Sequence, residues 1–251
     1  MSDPSCVLIT GATSGLGAHL FERFRHEGWS IIAISRQPRP SAEDEATSWI
    51  QADLGSPTDL AGLPEQILAT NKHLDVVVYC AVSYPSADDP IEEFEKAMRV
   101  NAWAPYFLTK SLIAAAEPSQ DTSFIMVNSE VIYSADERSG PYAATKAAMR
   151  VFATAAAHAA RSSEMAVSTL LLGPLASEVK RTELQRVADA RSVSLPEIEN
   201  IFLKRSNPNM TIRQLINLDS CYESVLYLRA LGASANGMLC RLDGGSAGSL
   251  A

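Results

Sequence analysis

Short runs of consecutive apolar residues alternate along the chain with longer stretches whose apolar positions recur at helical spacing. The runs at 6–10, 30–35, 49–52, 74–79, 124–129, 167–172 and 238–242 read as strands. Between them, Leu16, Leu20, Phe21 and Phe24 fall near helical spacing, with Gly28 as a stop. Ser56-Pro57 opens a second helix, since serine caps well and proline fits the first turn. Residues 91–117, 141–161 and 218–231 read as further helices, and Asp88-Asp89 as the cap of the first of these. Unbroken apolar strands separated by helices predict an α/β fold: a doubly wound, parallel, seven-stranded sheet with helices on both faces, in a single domain over 1–251. One stretch breaks the rhythm. Residues 175–211 are polar, mixed in charge and interrupted by Pro196 and Pro208, which predicts a substrate-binding lid.

The composition, 47% hydrophobic and 20% charged over 251 residues, excludes disorder, collagen and coiled coil. It leaves ample material for one large core. Twenty-nine acidic against 21 basic residues give a net charge of −8, which argues against gripping nucleic acid. Cys6, Cys80, Cys221 and Cys240 are scattered, and His19, His26, His73 and His158 form no ligand-spaced cluster. The expectation is reduced thiols, no metal and a cytoplasmic protein. The start carries no signal-peptide pattern, and no run of apolar residues is long enough to predict a membrane span.

The first strand runs into Thr10-Gly11-Ala12-Thr13-Ser14-Gly15-Leu16-Gly17, and a helix follows at once. Glycines there permit a tight turn and close approach of a ligand, while the helix N-terminus offers free N–H groups to phosphate. In a Rossmann-type sheet this first turn is where dinucleotides bind. The second strand ends at Ser35-Arg36, where an NAD site usually carries an acid for the ribose 2′-hydroxyl. A guanidinium suits a 2′-phosphate instead, favouring NADP(H) over NAD(H). The alternative is a solvated loop arginine, with Arg39 close by.

Tyr142 and Lys146 stand one helical turn apart, so phenol and ammonium share a face. A nearby cation is expected to lower the phenol pKa and equip it for proton exchange with a carbonyl or alcohol oxygen. Ser129 closes the preceding strand, within plausible reach of that oxygen. Pro105, four residues after Asn101, removes the donor that the Asn101 carbonyl would ordinarily receive, predicting a bend there.

With these motifs in order, the sequence resembles the short-chain dehydrogenase/reductase family over nearly its whole length. The resemblance rests on the Gly11-Gly15-Gly17 turn, Asp53-Leu54 after the third strand, Asn101, Ser129, Tyr142 and Lys146. It implies Tyr142 as general acid or base and Lys146 lowering its pKa while binding the nicotinamide ribose. Ser129 would polarise the substrate oxygen, and Asn101 would hold a relay water. It implies Asp53 and Leu54 at the adenine, Gly11, Leu16 and Gly17 at the pyrophosphate, and Thr13, Ser14 and Arg36 near a 2′-phosphate. Homotetramer or homodimer assembly is implied as well, and the helix at 141–161 offers Ala153, Ala155, Ala156, Ala157 and Ala160 for close packing.

Two segments depart from the family pattern. Asn-Asn-Ala-Gly is replaced by Tyr79-Cys80-Ala81-Val82, and Pro-Gly by Gly173-Pro174, with Leu175 and Ser177 following as candidate nicotinamide and phosphate contacts. Cys80 reads as a packing residue, and Val82 reshapes the pocket wall. Tyr84, Val131 and Tyr133 follow strand ends and are candidate substrate contacts. The expected activity is hydride transfer between NADP(H) and a small-molecule carbonyl or secondary alcohol, as in a ketoreductase. A non-catalytic NADP(H)-binding sensor or scaffold, and a nucleotide-sugar epimerase or dehydratase, are the alternatives; the chain length argues against the latter.

Overall fold

The computed structural model describes residues 4–38, 46–70, 73–117 and 120–246. Arg39 lies outside them. Seven strands form one sheet: β1 (Cys6–Thr10), β2 (Ser30–Ser35), β3 (Thr47–Gln51), β4 (Val76–Tyr79), β5 (Ser123–Ser129), β6 (Ala166–Leu172) and β7 (Leu239–Leu242). Their order is β3-β2-β1-β4-β5-β6-β7, and every pairing is parallel. The order reverses between β1 and β4, which opens a crevice at the carboxyl ends of the strands.

Helices cover both faces, so strand residues divide between two cores with period two. Leu8, Ile32, Val77 and Phe124 face one core, with residues of α2 (Pro57–Leu68), α4 (Ala104–Ala115) and α5 (Gly140–Ala160). Val7, Ile9, Ile31, Val78 and Ile125 face the other, with α1 (Gly15–His26) and α8 (Leu218–Ala230). The continuous apolar runs of the sequence are this two-sided burial. The single seven-stranded parallel domain is therefore as expected.

Three expectations need correction. Asp88 and Asp89 do not cap the helix that follows. Pro90 precedes α3 (Ile91–Met98) without a side-chain cap, and Asp89 instead accepts from the Ser86 N–H at 2.7 Å. The bend near Asn101 is a π-turn at Arg99–Trp103, in which the Ala104 N–H reaches back to the Arg99 carbonyl. The turn joins α3 to α4 without a break, and Pro105 follows as the second residue of α4, with no N–H to offer the preceding turn. Finally, Ala153, Ala156, Ala157 and Ala160 pack inward into the core rather than onto a partner-facing surface; only Ala155 of that set is exposed.

The polar stretch after β6 folds into α6 (Glu178–Arg191) and α7 (Leu195–Ser206). Ser177 caps the first, its hydroxyl accepting from the Lys180 N–H at 3.2 Å. Ser194 caps the second through the Glu197 N–H at 3.4 Å. Pro196 sits in the first turn of α7 and so starts a helix rather than breaking one. Leu184, Ala188, Ile198 and Leu203 turn inward and join the core shared by α1 and α8. No helix among the described residues is long and apolar enough to cross a membrane.

Candidate active site

At the carboxyl end of β1 the backbone itself is the architecture. Gly11 has φ +70°, and a Cβ there would stand 2.8 Å from the Ala81 Cα. A Cβ on Gly17 would stand 2.2 Å from the Gly11 carbonyl oxygen, so the turn and α1 close directly on one another. The Thr10 hydroxyl ties this turn to β4 by accepting from the Ala81 N–H at 3.1 Å. Gly15 differs: its φ is +55°, and nothing lies within 4 Å of where its Cβ would point. Ser14 precedes α1 in extended conformation without capping it, and no acid occupies the first helical turn. The exposed Thr13 and Ser14 and the buried Leu16 complete a loop with uncommitted N–H groups, a ready anion site.

Beside it, β2 delivers Arg36 to an exposed position after the strand. Ser35 is buried, its hydroxyl donating to the Gln37 carbonyl at 2.7 Å. Asp53 follows β3 and accepts from the Gly55 N–H at 2.9 Å, while Lys96 of α3 pairs with it at 3.1 Å. Burial works against the charge on Asp53. The Gly55 N–H, Lys96 and Arg36 outweigh it and hold the carboxyl below its usual range. Leu54 is buried behind it.

Across the crevice, β5 ends at Ser129 and α5 supplies Tyr142 and Lys146. The Ser129 and Tyr84 side chains both reach the Tyr142 phenol, and the Tyr84 and Tyr142 rings lie 4.7 Å apart at 41°. Burial pushes the phenol well above its ordinary pKa, reinforced by Tyr84 and Glu130. Lowering by Lys146 is not what the structure shows. The ammonium is 6.0 Å from the ring centre and donates to the Val127 carbonyl at 2.9 Å. It is itself buried, and desolvation brings its pKa down to about 8.

Asn101 is fully buried in the π-turn. Its amide accepts from the Ser83 N–H at 2.8 Å and donates to the Ser83 carbonyl and the Thr145 hydroxyl, at 2.6 and 2.9 Å. Its side chain thus clamps the segment after β4 against the helix that bears Tyr142.

The departures noted in the sequence acquire physical reasons. Tyr79 is buried and accepts from the Thr109 hydroxyl at 2.8 Å, an inter-element bond inside the core. Cys80 is half-buried with its thiol pushed up by burial, and Val82 is exposed beside the crevice. Gly173 passes the Asp243 backbone closely, so that a Cβ would stand 3.0 Å from its carbonyl oxygen, a tight contact that a larger residue would press on. Pro174 needs no N–H there, and its carbonyl accepts from the Ile216 N–H at 2.8 Å. Leu175 then pairs with Ile216 in an isolated bridge. Val131 and Tyr133 lie in a short 3-10 turn after Ser129, Val131 half-buried and Tyr133 exposed.

One residue of this site carried no signal in the sequence reading. Glu130 is 7% exposed, accepts from the Ser129 hydroxyl at 3.2 Å, and accepts from the Asn207 side chain at 2.6 Å. Asn207 closes α7, 77 positions away. Among the described residues, no group of three metal-ligating side chains stands together, and no disulfide joins any of the four cysteines.

A family model described as short chain dehydrogenase matches residues 5–188. The uncharacterized oxidoreductase YvaG of Bacillus subtilis is 23% identical over 248 residues, spanning 95% of this chain and 94% of its own length. A 4-hydroxyisoleucine dehydrogenase complexed with NADH superposes with a TM-score of 0.79 at 19% identity, over 96% of this chain and 98% of that one. An actinorhodin polyketide ketoreductase variant with NADPH gives 0.78 at 18% identity, over 98% and 99%.

Proposed function

The chain belongs to the short-chain dehydrogenase family, and on that premise we propose that it is an NADP(H)-dependent oxidoreductase that reduces a small-molecule carbonyl, the work of a ketoreductase. The observation that carries this reading is the Tyr142 phenol, reached by the Ser129 side chain from the end of β5 and set on one helix with the buried Lys146. A phenol carries its proton at neutral pH and can give it to a carbonyl oxygen as negative charge develops there.

The residues fit the cofactor. Gly15 leaves open space where a side chain would stand, and the uncapped start of α1 offers N–H groups without a competing acid. Exposed Arg36 supports the phosphorylated dinucleotide, because a guanidinium pairs with a 2′-phosphate and no acid precedes it on β2. When bound, NADPH supplies a hydride. The protein's share is to bind the pyrophosphate at the turn, polarise the substrate oxygen through Ser129 and protonate it from Tyr142. Lys146, its pKa brought down to about 8 by burial, would bind the nicotinamide ribose and help return a proton to the phenol. Asp53, Leu54, Ala81, Val82, Leu175 and Ser177 are proposed to line the cofactor, and Tyr84, Val131 and Tyr133 the substrate. Residues 175–211 would act as the lid.

The test is a carbonyl panel assayed with NADPH and NADH by cofactor absorbance, with Tyr142→Phe as control. Turnover with NADPH that vanishes in Tyr142→Phe supports the reading. Equal turnover in both proteins overturns it, and tight NADPH binding without any turnover favours the sensor. Homodimer or homotetramer assembly is proposed through α4 and α5: Val151 is 69% exposed on α5, and Phe152 of the same helix packs with Tyr106 of α4 and Trp103 of the π-turn. Light scattering of Val151→Arg checks it, a smaller species being expected.

A further inference from the structure

A buried carboxyl beside the reacting serine is an expensive neighbour, because low-dielectric surroundings penalise its charge. Glu130 is such a group, and its two oxygens serve different elements. One oxygen accepts the Ser129 hydroxyl hydrogen at 3.2 Å. The other accepts from the Asn207 side chain at 2.6 Å, and the same nitrogen donates to the buried Ser246 hydroxyl at 2.9 Å. Asn207 is itself anchored at the end of α7, its N–H donating to the Leu203 carbonyl at 2.9 Å. The carboxyl therefore joins the catalytic strand to the lid.

We propose that Glu130 is a positioning residue for the oxidoreduction: clamped from the lid by Asn207, its carboxyl decides whether the Ser129 hydroxyl hydrogen points into the protein or at the substrate oxygen. The proposal rests on the reading of Ser129 and Tyr142 given above. An ionised Glu130 can only accept, so it draws the Ser129 hydrogen to itself and away from the carbonyl. A protonated Glu130 can donate to the Ser129 oxygen, which frees that hydrogen for the substrate. Burial favours the protonated form and raises the Glu130 pKa; Asn207 and Ser129 pull it back, and Asp243 adds to the rise. Asp243 follows β7 and is paired with Arg241 at 2.8 Å. Tyr142 faces the carboxyl from α5, and Lys146 on the same helix is turned to Val127.

The expected consequence is a limb in the reduction pH profile. As pH rises through the Glu130 pKa, kcat/KM falls, because Ser129 is drawn off the substrate. Glu130→Gln keeps the Asn207 contact through its amide oxygen and donates to Ser129 through its nitrogen, so it holds the high-activity form permanently. With phenanthrenequinone and NADPH, the wild type should lose about tenfold in kcat/KM across this limb, the scale of one hydrogen bond in the transition state. Glu130→Gln should lose the limb and keep the Lys146 ionisation. Asn207→Leu, which removes a bond that favours the charged form, should move the limb to higher pH. A second readout needs no turnover: the infrared carboxyl band that disappears in Glu130→Gln should shift in Ser129→Ala. A Glu130→Gln profile that keeps every limb of the wild type overturns the proposal, as does a carboxyl band indifferent to Ser129→Ala. Failure of the catalytic reading is separate, since it would show as turnover persisting in Tyr142→Phe.

Discussion

The two ends of the crevice are built on opposite plans. The proposed cofactor end is made of backbone: Gly11, Gly15 and Gly17 lie within seven positions, and their roles follow from where a Cβ would fall. The proposed substrate end is made of side chains from distant elements. Tyr84 meets Tyr142, and Glu130 meets Asn207 across 77 positions. A backbone site of this kind has no room for an added atom at Gly11 and Gly17, while Gly15 is held to glycine by its φ of +55°. A side-chain site can be retuned by single substitutions, and its electrostatics depend on what each element buries.

The contrast predicts different failures. The largest effect belongs to the side-chain end. Tyr142→Phe removes the proposed proton donor and should cut kcat by about 10²–10⁴-fold. The melting temperature should stay close to wild type, because the ring still stacks on Tyr84. A melting temperature that collapses instead would make Tyr142 a structural residue. The backbone end fails the other way. Gly17→Ala sets a methyl group 2.2 Å from the Gly11 carbonyl oxygen, and should cost about 3 kcal/mol of stability. Denaturant titration would read this together with weakened NADPH binding. An unchanged unfolding midpoint would mean the turn can open, contrary to the plan described.

Those plans also explain what the sequence could reveal. The strands were legible because burial on both faces leaves continuous apolar runs. The glycine turn was legible because its function lies in a local backbone path. Helices α6 and α7 were not recognised, since Glu178–Arg191 buries only Leu184 and Ala188 and shows little apolar periodicity. Their signal lay in the caps: Ser194 with Glu197 three positions on, and Pro196 in a helix's first turn. Pro196 read as a breaker because no apolar stripe indicated which side of it the helix occupied. At the site, Tyr142 and Lys146 are placed on one helix as their spacing demanded. Their electrostatic relation was not legible, because the depth of burial and the Val127 carbonyl that takes the ammonium are tertiary facts. Glu130 was invisible for the same reason, since its partner Asn207 has no fixed spacing from it.

A smaller effect separates the two ends of the cofactor itself. Arg36→Ala should weaken NADPH binding about tenfold, since charge-assisted pairing to phosphate is worth about 1.5–3 kcal/mol less its exposure to solvent. NADH affinity should stay unchanged, measured by fluorescence titration of both cofactors. Equal losses for both would place Arg36 away from the 2′-phosphate and return the choice of cofactor to Asp53 and its neighbours.

The smallest expected effect tests the backbone plan most closely, because Gly15 and Gly17 are two positions apart yet should respond differently. Gly15 has φ +55° with nothing within 4 Å of its Cβ direction. Alanine there meets no atom of the protein, and the strain of a left-handed conformation costs about 1–2 kcal/mol. Asparagine tolerates that conformation better, so Gly15→Asn should recover part of the stability lost in Gly15→Ala. Neither side chain should restore NADPH affinity, if the open space beside Gly15 is where the pyrophosphate approaches the chain. Calorimetric melting and cofactor titration of the two variants would give opposite rankings: asparagine better than alanine for stability, and no better for binding. Parallel recovery of both would make Gly15 a conformational glycine alone, and would leave Gly11 and Gly17 to account for the turn.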